Sequence, residues 1–461
     1  MKKIKTICAV VLAAAFGLGL AGCGGGSGQG GADTLWVTVA NSSDELVLQN
    51  KLAKAFIAKK KEEGKDITIK RSTFSVSDYG NGISKLYATD TLGDVIFTYD
   101  TYASQYAETG WFDALDPYIE RDGIDLTLYN QTIIESARAY EGQLTYFPRS
   151  YDQVTIFINN EFFRQMDMED RIPRPKDNGQ GEETWDWWTW SELLSLCADL
   201  RAAINEKKGN AASYFYPMDA NLLWNAVYDP LIKSFGGNVV DVETMNSGFN
   251  SANSAAYTGT VNALNFMKSL MANKYTPDGY GSFTSGNNAM AFQTRPSVTS
   301  AISAGIDLSF APVPKFDSAI DGIGEDSVTY VGYGSVGYAI NKKSSKKELA
   351  WEFIKFAASE EGQAIIAANG NCIPTIKSQQ TLDSAWTECV TDKEGNVVDQ
   401  SAFLYQGNTL SLATYARGVK TDTEYLIYEK VRSNILDKLS KQTAESTAAY
   451  LYDLINIYIK K

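Results

Sequence analysis

The chain has 461 residues, with 42 basic against 55 acidic side chains and a formal net charge of −13. That balance argues against nucleic acid or an anionic membrane surface as a partner, because both need basic patches. The sequence contains no histidine, which excludes Ser-His-Asp and Cys-His catalysis and His-ligated zinc. Lysine nucleophiles and paired carboxylates survive that exclusion, and the length is ample for two domains.

Residues 1–22 read as an export leader. Lys2, Lys3 and Lys5 precede an apolar run over 7–20 that is shorter than the roughly 20 residues a membrane span needs. The run closes on Leu20-Ala21-Gly22-Cys23, which resembles the bacterial lipobox, whose cysteine becomes the acylated first residue of the mature protein. Residues 23–32 then hold the lipidated Cys23 and a glycine-rich tether. The expectation is an extracytoplasmic protein, lipid-anchored to the cell membrane at the bacterial surface. With Cys8 in the leader and Cys23 acylated, Cys197, Cys372 and Cys389 remain, an odd number that cannot all pair within one chain. A bridge between Cys372 and Cys389 stays open, Cys197 reads as a buried helix residue, and none has metal-ligand spacing. No cofactor is expected.

In chain order, residues 35–39 predict a strand, and the polar turn Asn41-Ser42-Ser43-Asp44 opens a helix over 45–61 with Leu48, Leu52 and Phe56 at helical spacing. A strand over 67–69, a serine-rich loop with Phe74 and Tyr79, a helix over 82–87 and the strand Val95-Ile96-Phe97-Thr98 complete a β-α-β-α-β unit. Such alternation predicts a mainly parallel sheet covered by helices. At Tyr99-Asp100-Thr101-Tyr102 the strand pattern gives way to a helical one. Ligands of open α/β sheets bind beyond the carboxyl ends of the strands, so Tyr99, Asp100 and Tyr102 become candidate contacts, with plain packing of the tyrosines as the alternative.

A second unit begins with extended residues 145–148 and the apolar run 154–158, and Asn159-Asn160 opens another helix. Thr189-Trp190-Ser191-Glu192 has the spacing of a capping box and starts a helix over 190–201. The adjoining Trp185, Trp187, Trp188 and Trp190 therefore read as packing rather than as an aromatic platform. Further helices are expected over 256–271, 346–358, 423–439 and 444–459, with strands over 308–311 and 336–340. Glu182-Glu183 and the acidic loop 316–326 lack the oxygen spacing of a calcium loop and read as solvated.

These segments also share an order. Gly93-Asp94-Val95-Ile96, Tyr106-Ala107-Glu108-Thr109-Gly110-Trp111, Leu115-Asp116-Pro117-Tyr118, Phe157-Ile158-Asn159-Asn160-Glu161-Phe162-Phe163, Phe235-Gly236-Gly237-Asn238, Ala311-Pro312-Val313-Pro314 and Glu348-Leu349-Ala350-Trp351-Glu352-Phe353-Ile354 follow one another at matching spacing. From Trp36 to Ser378 the chain resembles the extracellular solute-binding proteins of carbohydrate ABC importers, family 1, the maltose-binding-protein-like group. The resemblance implies an α/β, two-lobed periplasmic-binding-protein fold (type II), each lobe a mainly parallel sheet flanked by helices, with a hinge between. It assigns residues 33–146 plus 315–370 to the N-terminal lobe and 147–314 plus 371–461 to the C-terminal lobe. It implies a monomer that is not an enzyme, with three partners: a carbohydrate ligand, ABC permease subunits, and the membrane through the lipid at Cys23.

A pyranose offers apolar C–H faces and a rim of hydroxyls, so aromatic rings beside Asp, Asn and Arg suit it. Such residues meet at Tyr99, Asp100 and Tyr102, at Arg149, Tyr151 and Asp152, at Trp224 and Asn225, at Arg295 and at Tyr333, with Asn41, Ser42, Phe74, Tyr415 and Arg417 as further candidates. Tyr99, Asp100, Tyr151, Trp224 and Tyr333 fall where the resemblance places ligand contacts. Arg295 stands where relatives often carry Trp, which suggests a hydroxyl or acidic ligand group there, with a surface Arg paired to a carboxylate as the alternative. The rivals are a secreted carboxylate-dependent glycoside hydrolase using Asp100 and Asp152, and the same fold taking a peptide, polyamine or phosphorylated solute.

Overall fold

The computed structural model describes residues 34–75, 79–138, 140–241, 244, 246–279, 281–381, 384–405, 407–412 and 421–459. The leader, Cys23 with its tether, Tyr415 and Arg417 lie outside the described residues. Among the described residues thirteen strands run in chain order as β1 (Thr34–Ala40), β2 (Thr68–Phe74), β3 (Val95–Tyr99), β4 (Phe147–Gln153), β5 (Thr155–Asn159), β6 (Lys176–Asp177), β7 (Glu183–Thr184), β8 (Tyr216–Asp219), β9 (Asn288–Gln293), β10 (Leu308–Pro312), β11 (Tyr330–Ile340), β12 (Ile373–Pro374) and β13 (Thr409–Leu412). They form a seven-stranded sheet in the order β12-β4-β11-β3-β1-β2 with β13 added to β11, a four-stranded sheet in the order β10-β5-β9-β8, and the small hairpin β6-β7.

The expected opening unit is present. Helices α1 (Ser43–Glu62) and α2 (Tyr79–Ala88) connect β1, β2 and β3, and β1 pairs in parallel with both other strands. Leu48, Leu52 and Phe56 of α1 are buried against the first sheet. β2 runs on to Phe74, in register with Ala40, through residues whose sequence suggested a loop.

The sheets are mixed, which corrects the expectation of mainly parallel ones. β11 is antiparallel to β3 and β4, and β5 is antiparallel to β9 and β10. The physical reason is connectivity. Between β4 and β5 the chain passes from one sheet to the other at Val154, and it returns between β10 and β11. A strand arriving from another sheet is not bound to the single sense that a helical crossover imposes.

Each large sheet has its own apolar core. In the second, Thr189 Oγ1 accepts from the Glu192 amide at 3.4 Å to start the helix Trp190–Lys208. The Trp190 indole stacks between Phe292 and Phe316 at 5.8 and 5.2 Å, and Trp188 Nε1 donates to the Pro312 carbonyl at 3.0 Å. The tryptophan cluster is core packing. The helix expected over 423–439 is two helices, Thr421–Arg432 and Ile435–Lys441. Asn434 breaks it, since its side chain donates to the Lys430 carbonyl at 2.8 Å while its own backbone leaves the helical region.

Candidate functional site

The β4–β11 ladder decides which side chains line the cleft. Gly334 pairs with Asp152, Ser335 with Tyr151 and Val336 with Ser150, but the next pair is Gly337 with Pro148. β4 therefore carries one extra residue, Arg149, as a bulge. Beyond the bulge the strand period of two puts Tyr99, Val336, Gly334 and Asp152 on one face, since Val336 also pairs with Tyr99. Tyr151, Ser335 and Tyr333 fall on the opposite face.

On that opposite face Tyr151 and Tyr333 are 4% and 3% exposed, packed with Phe157, Ile373, Trp386 and Phe403 in a third apolar cluster. Burial pushes the Tyr151 phenol up. This corrects the reading of both as ligand contacts: a single step along a strand reverses the face.

Arg149 is corrected as well. The bulge re-aims its guanidinium into the first lobe, where Nη1 and Nη2 donate to Glu45 Oε1 and Oε2 at 2.9 and 2.5 Å. Nη1 also donates to the Tyr338 hydroxyl at 2.7 Å, and the group lies over the rings of Phe97 and Tyr338 at 5.0 and 5.3 Å. Gln49 Nε2 donates to Glu45 Oε1 at 2.7 Å and also to the Tyr338 hydroxyl. Although burial works against the charge, the Glu45 carboxylate holds the Arg149 guanidinium above its ordinary range. Arg149 thus anchors the first turn of α1 to the sheet.

The other face carries the remaining candidates. Tyr99 ends β3 half-buried, edge-on to Phe97 at 5.2 Å, its phenol pushed up to about 12 by burial and then by the Glu45 charge. Asp100 begins α3 (Asp100–Glu108). Its Oδ1 accepts from the Thr101 amide at 2.6 Å and its Oδ2 from the Ser335 amide at 2.5 Å, which ties the helix start to β11. Tyr102 stacks on Tyr106 at 5.9 Å, Tyr106 on Trp111 at 4.9 Å and Trp111 on Tyr87 at 4.2 Å. This row of four parallel rings sets the plane of Tyr102. Asn41 is exposed where β1 meets α1, its amide donating to the Phe74 carbonyl at 2.7 Å. Ser42 caps α1 in position only, without a side-chain bond.

Elements of the second core close over this face. Trp224 precedes the helix Asn225–Ser234 and is half-buried, as is Asn225. The Ala226 carbonyl sits so close to Gly332 that any side chain there would collide with it. Gly332 shares a face with Gly334, so the helix begins over the wall formed by Tyr99 and Asp152. The helix Thr421–Arg432, whose Ile427 and Val431 belong to the second core, touches α3.

Asp152 forms the floor. Its Oδ2 accepts from the Cys372 thiol at 3.3 Å, while Oδ1 is buried without a hydrogen-bond partner. Burial pushes this carboxyl up to about 8, against the opposing pull of Cys372 and the Arg295 charge. Arg295, just after β9, is 3% exposed, so the alternative of a surface Arg is excluded. Its Nε and Nη1 have no hydrogen-bond partner, and burial lowers its affinity for a proton. Gly370, in the left-handed region at φ +69°, leaves room for Arg295 Nη2 and the Cys389 sulfur, both of which a β-carbon there would meet. Cys197, Cys372 and Cys389 are all free thiols; in place of a bridge, Cys372 bonds Asp152 and Cys389 donates to the Trp386 carbonyl at 3.0 Å. Glu45, Cys372 and the two glycines of Gly332-Tyr333-Gly334 were not expected in the site.

Residues 45–364 match the family described as bacterial extracellular solute-binding protein, and the chain belongs to that family. Among solved structures it is similar to an ABC substrate-binding protein from Listeria monocytogenes in complex with cycloalternan, at 17% identity and TM-score 0.69 over 93% of this chain and 99% of that one. A cyclic alpha-maltosyl-1,6-maltose binding protein from Arthrobacter globiformis gives 16% identity and TM-score 0.69 over 93% and 99% of the two chains. The sugar-binding protein MalE from Xanthomonas citri gives 16% and 0.67 over 93% and 97%. At such identities the likeness establishes the two-lobed fold. No described helix is long and apolar enough to cross a membrane.

Proposed function

We propose that the protein captures a sugar or oligosaccharide between its two lobes and delivers it to an ABC permease, without making or breaking a bond. The reading is supported by the face that Tyr99 and Asp152 share on the first sheet, beside which the helix starting at Asn225 packs through its Ala226 carbonyl against Gly332. A ligand there touches both lobes, so it binds the closed form better than the open one and shifts the population toward it. Cycloalternan in one relative and a cyclic maltosyl-maltose in another support a saccharide as the solute.

The lobes divide near residues 147–150 and 311–314 and again after 358, and the receptor acts as a monomer held to the membrane by lipid on Cys23. Palmitate labelling of cells, lost on Cys23→Ala, tests the anchor. For the ligand, thermal shift and calorimetry against a glycan panel give stabilisation by a saccharide; stabilisation by a peptide or polyamine alone would sink the proposal. A glycosidase is disfavoured because Asp100 spends both oxygens on backbone amides. Chromatography of an oligosaccharide after incubation tests this directly, and released product would revive the enzyme.

A further inference from the structure

Two Arg–carboxylate neighbourhoods lie close together in this fold, and they are built differently. At Arg149 both Glu45 oxygens are bonded and only Nε of the guanidinium lacks a partner. At Arg295 more is missing: Nε and Nη1 of the guanidinium and Oδ1 of Asp152 are all buried without hydrogen-bond partners. A guanidinium does not give up its proton in a protein, so an incompletely satisfied one at 3% exposure is a costly feature that the fold retains.

The groups around Arg295 supply little negative charge. They are Asp152, Cys372 and Cys389. Burial pushes the Cys372 thiol well up, so it is neutral. Asp152 is the one carboxyl, and its environment favours the protonated form near neutral pH. A protonated Asp152 donates a hydrogen bond and leaves the Arg295 charge unbalanced.

The position suits a ligand. Asp152 comes from β4 of the first sheet, Arg295 follows β9 of the second, and Cys372 immediately precedes β12, which pairs with β4. Beside Asp152 stands Gly334, whose missing side chain leaves open the line to Asp100 Oδ2, 3.6 Å from where a β-carbon would be.

We propose that Arg295 and Asp152 form a subsite for a single carboxylate of the solute, so that the preferred ligand is an acidic saccharide carrying a uronic acid residue. The inference rests on the saccharide reading above. One guanidinium matches a monoanion; a phosphate dianion needs a second cation, and Arg149, the other buried arginine of this region, is consumed by Glu45. Opening of the lobes admits the carboxylate, and closure buries it against both.

The test is isothermal titration calorimetry of the full chain at neutral pH with trigalacturonate, its fully methyl-esterified form and maltotriose. The acid is expected to bind roughly ten- to hundredfold more tightly than its ester, as a charge-assisted bond implies. Arg295→Gln should abolish that ratio, with melting temperature verifying that the variant folds. An ester as good as the acid, or a ratio that survives Arg295→Gln, overturns the subsite. Binding of maltotriose without the acid removes the subsite and leaves the saccharide reading standing; if no saccharide in a broad panel binds, both fall.

Discussion

Truncating Glu45 to alanine removes the carboxylate that receives the Arg149 bonds at 2.9 and 2.5 Å. The guanidinium, 3% exposed, then keeps the Tyr338 hydroxyl at 2.7 Å and the faces of two rings, none of which carries a negative charge. A buried charge abandoned in this way costs about 3–5 kcal/mol. The first lobe should therefore melt roughly 10 °C lower, at a few degrees per kcal/mol for a unit of this size. Removing both charges by Glu45→Leu with Arg149→Met keeps the volume and spares both desolvation penalties, so the double variant should lie close to the wild type or above it. Equilibrium urea unfolding followed by tryptophan fluorescence measures all three proteins. A loss below about 1 kcal/mol for Glu45→Ala, or a double variant as damaged as the single one, would refute the buried-pair account.

Asp152 predicts a pH dependence. Its carboxyl is raised to about 8 in the folded protein, so its contribution to stability is complete below the ordinary carboxyl range near 4 and is lost as pH rises toward 8. Asp152→Asn should flatten the fall in melting temperature between pH 5 and 8, and calorimetric scans with unchanged slope would contradict it. Gly332→Ala should push the helix Asn225–Ser234 off β11, because the new methyl meets the Ala226 carbonyl; the expected readouts are weaker ligand binding and faster proteolysis, and wild-type behaviour in both counts against the packing described. Thr189→Ala should cost about 1 kcal/mol through loss of the cap on the Glu192 amide, measured by chemical denaturation, and no change would mean that the cap is not used.

Much of the fold was legible because its signals are local. The Leu48, Leu52, Phe56 spacing marks α1, and Thr189 with Glu192 marks the start of its helix whatever the tertiary context. The site was less legible because its geometry depends on pairing. Nothing in Phe147-Pro148-Arg149-Ser150 announces that Arg149 is skipped by β11, yet that one bulge sends Arg149 to Glu45, 104 residues away in sequence. Tyr151 adjoins Asp152 along the chain and Tyr333 adjoins Gly334, and the strand period places both tyrosines on the reverse side. Cys372 meets Asp152 across 220 residues, a contact that depends on β12 pairing with β4. Mixed strand senses escaped for a related reason: the order of elements was readable, but the sense in which a strand enters its sheet was not.

The most direct test of the central claim is the affinity of the wild type and of Tyr99→Ala for saccharides, measured by calorimetry at one pH and ionic strength. The account predicts at least one saccharide that binds the wild type and loses roughly tenfold in affinity when the Tyr99 ring is removed. Equal affinity in the two proteins, or binding confined to solutes without sugar rings, contradicts it.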